Sequence, residues 1–299
     1  MGKAHRARII VMSRTGGLLV LVFITLVWGT TFVVIKDALD TISVPLLLAV
    51  RFSLAALLLG WVRVERRALG PAMVLGVLGF AGFATQTIGL DLTSASKAAF
   101  LTGLSVIFTP LVSSIWLGNR IAPRAYLAAA VALAGLSLMS LTGAGELSAG
   151  DLWLLGTAFS YALYIVYLGQ VAGNMPVLSL AGAQHWPMAL LAWLWALPEA
   201  GQLAEVPAGT YVAIAYLALV ATVLVAVLQI YAQRVVPAHV AALIFLLEPV
   251  FASVFAFFLL GERLGALGWV GGILVIVAMM ISELPRRRPR RLRSSADQT

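Results

Sequence analysis

Few polar side chains stand inside the apolar runs of this sequence, and their types limit what chemistry they can do. Glu248 is the one carboxylate near the middle of such a run, about 13 residues from its charged end, or ~20 Å at the helical rise per residue. A carboxylate at that depth can carry a proton or pair with the ammonium of a substrate. It can also help satisfy the backbone turn that Pro249 disturbs. Arg51 lies about 7 residues into another run, ~10 Å from its start, too far along the helix axis for a direct pair with Glu248. Structural anchoring, by snorkelling or by pairing with Asp37, Asp40 or Asp91, is the favoured reading of Arg51; holding a substrate carboxylate is the other. Gln86 and Gln229 need amide partners in an apolar medium, and Thr222, Gln229 and Gln233 fall on one helical stripe that suits a wet cavity or interhelical contact. Gln184 and His185 sit beside Trp186-Pro187, while Trp28, Phe100, Tyr161 and Tyr164 are deep aromatics able to wall a pocket or simply to pack.

These residues point to recognition and not to catalysis. The histidines His5, His185 and His239 are scattered, and no H-E-x-x-H, nucleotide-binding glycine loop or paired intramembrane aspartates are present. With no cysteine in the chain, thiol nucleophiles, disulfides and iron–sulfur ligation are excluded. No metal site and no cofactor is expected, and the chain is read as a non-enzyme.

The elements that position these groups follow from composition. Of 299 residues, 62% are apolar and 11% charged, and the mean hydropathy is +1.01. A soluble domain carries about 25% charged residues, so this is a polytopic membrane protein. Apolar runs near 17–35, 44–62, 71–90, 98–117, 122–141, 152–171, 177–197, 209–231, 239–260 and 265–283 predict ten transmembrane helices and an all-α fold. Turn residues at Thr142-Gly-Ala-Gly145 and Gly173-Asn-Met-Pro176 separate some of them. The first run has no small-residue cleavage site and reads as a retained span. Trp61, Trp153, Trp195, Trp269 and Tyr211 fall near run ends, as interfacial anchors do. His239 opens the ninth run as a boundary residue.

Charge sets the orientation. With the N-terminus inside, Lys3, Arg6, Arg8, Arg14, Arg63, Arg66, Arg67, Arg120, Arg124, Arg234 and the six arginines of 286–293 are cytoplasmic, sixteen in all. Only Lys36, Lys97 and Arg263, three, lie outside. That bias predicts a multi-pass membrane protein with both termini cytoplasmic. The net charge of +8 then records topology. The basic tail Pro285-Arg-Arg-Arg-Pro-Arg-Arg-Leu-Arg293 meets anionic lipid headgroups, and lacks the folded module or interleaved aromatics that nucleic-acid binding needs. The oligomeric state expected is a monomer or weak homodimer.

The chain also repeats itself. Displaced by 143 residues, Thr93–Arg120 falls without a gap on Val236–Arg263, with eight identities in twenty-eight positions, among them Leu104/Leu247, Phe108/Phe251 and Gly118/Gly261. The same displacement sets Gln86 on Gln229, and a displacement of 133 sets Trp28 on Tyr161 and Arg51 on Gln184. The expected organisation is an N-terminal tail (1–15), a first five-helix repeat (16–145), a second (146–284) and a C-terminal tail (285–299). Five is odd, so the second repeat must thread the membrane in the opposite sense. Two inverted five-helix repeats are the construction of secondary transporters, with a substrate site near the midplane where the halves meet.

Several motifs resemble one family. Phe23-Ile-Thr-Leu-Val-Trp-Gly-Thr-Thr-Phe-Val-Val-Ile-Lys36 resembles the opening Trp-Gly helix of the EamA-type drug/metabolite transporters, and Pro45-Leu-Leu-Leu-Ala-Val-Arg51 their second helix. Ser94-Ala-Ser-Lys-Ala-Ala-Phe-Leu-Thr-Gly-Leu104 with Pro110 is similar to their fourth helix, and Glu248-Pro249 with Leu260-Gly-Glu-Arg263 to their ninth. The resemblance covers essentially the whole chain. It implies a ten-helix carrier of the bacterial inner membrane that exports small organic metabolites, above all amino acids, with the aromatic amino-acid branch placed first. It gives Lys97 the role of a gate or carboxylate contact; an exposed boundary lysine near Asp91 is the alternative. Asn119 stands where the second repeat has Glu262, so a symmetric gating role for Glu262 is weakened. The substrate-binding set expected is Trp28, Gln86, Lys97, Phe100, Tyr161, Tyr164, His185, Gln229 and Glu248, with Arg51 and Glu262 as structural or gating charges. The rival functions are a non-transporting scaffold or receptor, and a carrier for another metabolite or drug class.

Overall fold

The computed structural model describes residues 13–118, 123–141, 148–245, 247–263 and 265–283. These residues form α1 (Arg14–Ala38), α2 (Val44–Leu58), α3 (Arg66–Asp91), α4 (Ala95–Gly103), α5 (Ser105–Leu117), α6 (Pro123–Leu141) and α7 (Ala149–Val171). Then come α8 (Val177–Ala196), α9 (Ala208–Ala218), α10 (Val225–Gln233), α11 (Ala238–Phe245), α12 (Leu247–Leu260) and α13 (Ala266–Glu283), with no strand among the described residues. Six stretches are long and apolar enough to cross a membrane: Arg14–Ala38, Arg66–Asp91, Ala95–Trp116, Ala149–Asn174, Ala208–Gln233 and Val240–Leu260. With α2, α6, α8 and α13 beside them, the helical lengths are compatible with ten crossings.

The repeat is visible in the helix boundaries themselves. Adding 133 to the first residue of α2, Val44, gives Val177, which opens α8, and adding it to the last residue of α1, Ala38, gives Val171, which closes α7. Adding 143 to Ala95 and Pro123, the starts of α4 and α6, gives Ala238 and Ala266, the starts of α11 and α13. The fourth and ninth spans both end on a left-handed glycine, Gly118 at φ 69° and Gly261 at φ 66°, positions where a Cβ would strain the backbone.

Two features depart from the expected unbroken spans. The fourth is two helices, because the chain tightens at Leu104, whose N–H bonds Leu101 O at 3.1 Å, three residues back. The ninth is described as α11 and α12, either side of residue 246. The eighth carries a π-turn over Leu219–Leu224, where the Thr222 hydroxyl donates to Leu217 O at 2.8 Å, five residues back. In addition, the segment Leu197–Glu205, expected as a loop, winds as a 3₁₀-helix. The turn at 142–145, Asn119, Glu146 and both tails fall outside the described residues, as does the side chain of His239.

Packing follows the rules of a lipid solvent. Lipid tails offer helices no hydrophobic drive to associate, so close approach and hydrogen bonds must hold them. A Cβ on Gly82 would lie 2.3 Å from the Tyr161 ring, and one on Gly135 would lie 2.6 Å from Gly271 O. Glycine is thus the only residue that lets α3 seat on α7, or α6 on α13, at these distances. The hydroxyls of Thr25, Thr31, Thr87 and Thr109 bond carbonyls three or four residues back, so they need no water. Large apolar side chains such as Leu19, Ile115 and Phe258 are exposed and face outward. The N-terminal half of the fourth span, α4, packs on α12, and its C-terminal half, α5, on α11, so the fourth and ninth spans run in opposite directions.

Candidate functional site

At the centre lies a cavity open at one edge, with about 890 Å³ of empty space when that opening is counted. Its walls come from equivalent positions of the two repeats. The pairs Trp28/Tyr161, Thr31/Tyr164 and Arg51/Gln184, related by 133, all line it. So do Gly79/Thr222, Phe83/Ala226, Gln86/Gln229, Thr102/Phe245 and Ser105/Glu248, related by 143. The cavity therefore sits where the repeats meet. The break in the fourth span opens onto it, with Thr102 and Ser105 flanking Leu104.

Arg51 is the largest fully buried side chain, 1% exposed. Its Nε donates to Thr222 Oγ1 at 2.8 Å, which the π-turn places, and its guanidinium lies 4.6 Å from the Phe83 ring centroid, a cation–π distance. Nη1 and Nη2 have no hydrogen-bond partner among the described residues. This corrects the expectation for Arg51: it neither snorkels to the surface nor pairs with Asp37, Asp40 or Asp91, because its side chain turns inward onto Thr222 and the cavity. Glu248, 9% exposed, lies in the ninth span, and no described residue gives it a hydrogen bond or ion pair. Arg51 and Glu248 share the cavity without pairing with each other. An unpaired buried charge costs several kcal/mol, so two of opposite sign held apart is an arrangement that stability alone does not favour.

The neutral polar groups are better satisfied. Tyr161 donates to Gln86 Oε1 at 3.1 Å, and Gln86 Nε2 donates to Thr102 Oγ1 at 3.3 Å. Tyr164 donates to Gln184 Oε1 at 2.9 Å, but Gln184 Nε2 has no partner among the described residues. Gln229 Nε2 donates to Gln233 Oε1 at 3.1 Å. The apolar wall is formed by Trp28, Phe83, Phe245 and Met188, with Trp28 and Phe245 rings 5.1 Å apart.

Of the expected substrate set, Trp28, Gln86, Tyr161, Tyr164, His185, Gln229 and Glu248 line the cavity. Lys97 and Phe100 do not. Phe100 is buried against Gly272 of α13, where its ring leaves no room for a Cβ. Lys97 pairs with Asp151 at 2.8 Å, so its partner is not Asp91; the carbonyls of Leu90, Asp91 and Thr93 are held instead by Lys36. Asp151 is fully buried and also closes a capping box with Ser148 at the start of α7. Glu262 accepts from Ala95 N, Ser96 N and Ser96 Oγ at 2.8, 3.0 and 2.8 Å. It thus caps the N-terminus of α4, where a negative charge meets the positive end of the helix. Thr41–Thr210 at 2.7 Å and Ser43–Glu199 join the repeats at this same end. At the other end, the described inter-repeat polar links are those of Ser179 Oγ with Arg63 O and Glu65 N, at 3.3 and 3.4 Å.

Sequence reasoning missed Ser105, Thr102, Thr31 and Phe83. Ser105 was within reach, since the displacement that aligns Gln86 with Gln229 also sets it opposite Glu248. Asp151 was missed because a cap residue of a helix start looks like any loop acid until its neighbour is known.

Membrane-length helices in two repeats around a shared polar cavity define a multi-pass membrane protein of the solute-carrier type. Comparison with known proteins makes this specific. The EamA-like transporter family matches residues 15–141 and again residues 148–283, and the chain belongs to that family. It is a transporter and not an enzyme. It is 29% identical, over 88% of its length and 84% of the relative, to an "Uncharacterized transporter" of Archaeoglobus fulgidus. It is 26% identical to a "Probable amino-acid metabolite efflux pump" of Escherichia coli (strain K12), over 91% of this chain and 95% of the other. An "Uncharacterized inner membrane transporter YedA" of the same strain is 25% identical over 86% and 87% of the two chains. A solved crystal structure shares the fold at a TM-score of 0.64 and 15% identity, covering 90% of this chain and 97% of that one.

Proposed function

We propose that this protein exports amino-acid-type solutes with apolar or aromatic side chains across a bacterial inner membrane. In this reading two inverted five-helix repeats alternate access to the central cavity, with both termini cytoplasmic. The observation that carries it is the cavity itself: built from equivalent residues of both repeats, it offers an unpaired guanidinium, an unpaired carboxylate and an aromatic wall. A solute with an ammonium, a carboxylate and an apolar side chain answers all three. The opposite running directions of the fourth and ninth spans support the inversion, and the sixteen-to-three bias of Lys and Arg supports the orientation. The name of the Escherichia coli relative supports an amino-acid metabolite as cargo and efflux as direction.

The test is purified protein in liposomes loaded with a panel of labelled amino acids. The expected result is efflux that favours Phe, Tyr, Trp and Leu over Asp, Lys and Gly. Complete inertness toward the panel would return the protein to the scaffold or receptor class.

A further inference from the structure

The equivalence of the two cavity walls stops at the charges. The repeat counterpart of Arg51 is Gln184 and that of Glu248 is Ser105, both neutral and both lining the cavity. The cation thus belongs to the first repeat and the carboxylate to the second. Among the described residues neither has an ion-pair partner: Arg51 Nη1 and Nη2 are buried without a hydrogen bond, and Glu248 makes none. Gln184 Nε2 is a further unmet donor, so the unmatched groups of the cavity are nitrogen donors plus one carboxylate.

We propose, resting on the amino-acid reading above, that the cargo is held in one fixed orientation and bridges the repeats. Its carboxylate accepts from the Arg51 fork on α2, with Gln184 on α8 as a further donor, and its ammonium donates to Glu248 on α12. Thr222 fixes the guanidinium through Nε and leaves the two terminal nitrogens free for a bidentate contact. Glu248, which makes no hydrogen bond or ion pair among the described residues, would be served there by an ion brought by the cargo. A solute with both charges ties α2 to α12, one element from each repeat, while a solute with one charge satisfies a single repeat. Arg51 and Glu248 are therefore specificity-determining residues, and the neutrality of Gln184 and Ser105 prevents the reversed pose.

The experiment measures equilibrium binding of three labelled probes to the purified full chain: phenylalanine, 3-phenylpropanoate, which lacks the ammonium, and 2-phenylethylamine, which lacks the carboxylate. Wild type should bind phenylalanine at least about tenfold tighter than either fragment, since each charge-assisted contact is worth ~1.5–3 kcal/mol. Arg51→Gln should bring phenylalanine down to the level of 2-phenylethylamine and leave the amine itself bound as before. Glu248→Gln should bring phenylalanine down to 3-phenylpropanoate and leave the acid as before. Arg51→Lys, which keeps the charge and loses the fork, should lie between wild type and Arg51→Gln, and so controls for a fold that tolerates no neutral residue there. Equal weakening of all three probes by Arg51→Gln or Glu248→Gln overturns the orientation while phenylalanine export stands. Wild type that binds none of the three overturns the amino-acid reading itself.

Discussion

The pair Lys97–Asp151 joins α4 of the first repeat to α7 of the second, and its burial allows the cost of breaking it to be worked out. Asp151 is 0% exposed, and its carboxylate meets Lys97 Nζ at 2.8 Å and Ser148 N at 3.0 Å. Lys97→Met removes the cation and strands a buried carboxylate that retains only backbone and cap contacts. A fully buried pair broken in this way costs ~3–5 kcal/mol. The Lys97 side chain is 16% exposed, so part of the charge was already hydrated, and ~2–3 kcal/mol is expected. Asp151→Asn keeps the side-chain acceptor for Ser148 N and leaves a lysine that can reach water, so it should cost only ~1 kcal/mol. Lys97→Met with Asp151→Asn no longer buries a lone charge and should recover ~1–2 kcal/mol relative to Lys97→Met alone. Thermal unfolding of detergent-solubilised protein reads these differences; at ~2 °C per kcal/mol for a chain of this size, Lys97→Met falls by ~4–6 °C and the double variant by less. A strictly additive double variant, or a Lys97→Met shift under ~1 °C, would show that the pair is solvated in the membrane protein and that the reasoning from burial is wrong.

Other consequences follow from single contacts. Gly82→Ala places a Cβ 2.3 Å from the Tyr161 ring, which must swing away and release Gln86. Loss of that bond and of cavity shape should weaken phenylalanine binding by about fivefold to tenfold, measured by equilibrium dialysis, with ~1 kcal/mol from the hydrogen bond alone. Glu262→Gln keeps oxygen and shape but removes the charge at the N-terminus of α4, and should lower unfolding stability by ~0.5–1 kcal/mol, seen as a thermal shift of ~1–2 °C. Gly261→Ala forces a Cβ into a φ of 66° at the end of α12 and should cost ~1–2 kcal/mol. Because nothing lies within 4 Å of that Cβ, the cost is backbone strain alone, and Gly261→Asn should recover part of it in the same thermal assay.

Much of this fold was legible in the residues because membrane spans announce themselves by length and because the repeat left its displacement in the sequence. The shifts of 133 and 143 that aligned Arg51 with Gln184 and Gln86 with Gln229 also reproduce the starts of α8, α11 and α13. Seven of the expected substrate residues line one cavity, since a polar side chain in an apolar helix has few places to go but inward. Direction was harder. Arg51 was read as an anchor because a span apolar on every face gives no sign of which face meets lipid, and only Thr222 across the interface settles where the guanidinium turns. The break at Leu104 was invisible for a related reason: no proline stands there, and the helix tightens through two three-residue hydrogen bonds, Leu104 N to Leu101 O and Ile107 N to Leu104 O. Lys97 was placed near Asp91 by sequence proximity, whereas its partner lies 54 residues on, in the other repeat.

The polar links between the repeats are unevenly shared between the two ends of the molecule. Lys97–Asp151, the Glu262 cap on α4, Thr41–Thr210 and Ser43–Glu199 gather at one end, while the other described end has only the longer bonds of Ser179. For a carrier that exchanges two states, such an imbalance is a ratio of populations at rest. Every ~1.4 kcal/mol by which the latched end outweighs its counterpart shifts that ratio tenfold toward the state sealed there. The resting carrier would then spend nearly all its time facing one compartment, and Lys97 and Glu262, although remote from the cavity, would set how rarely an empty carrier turns over.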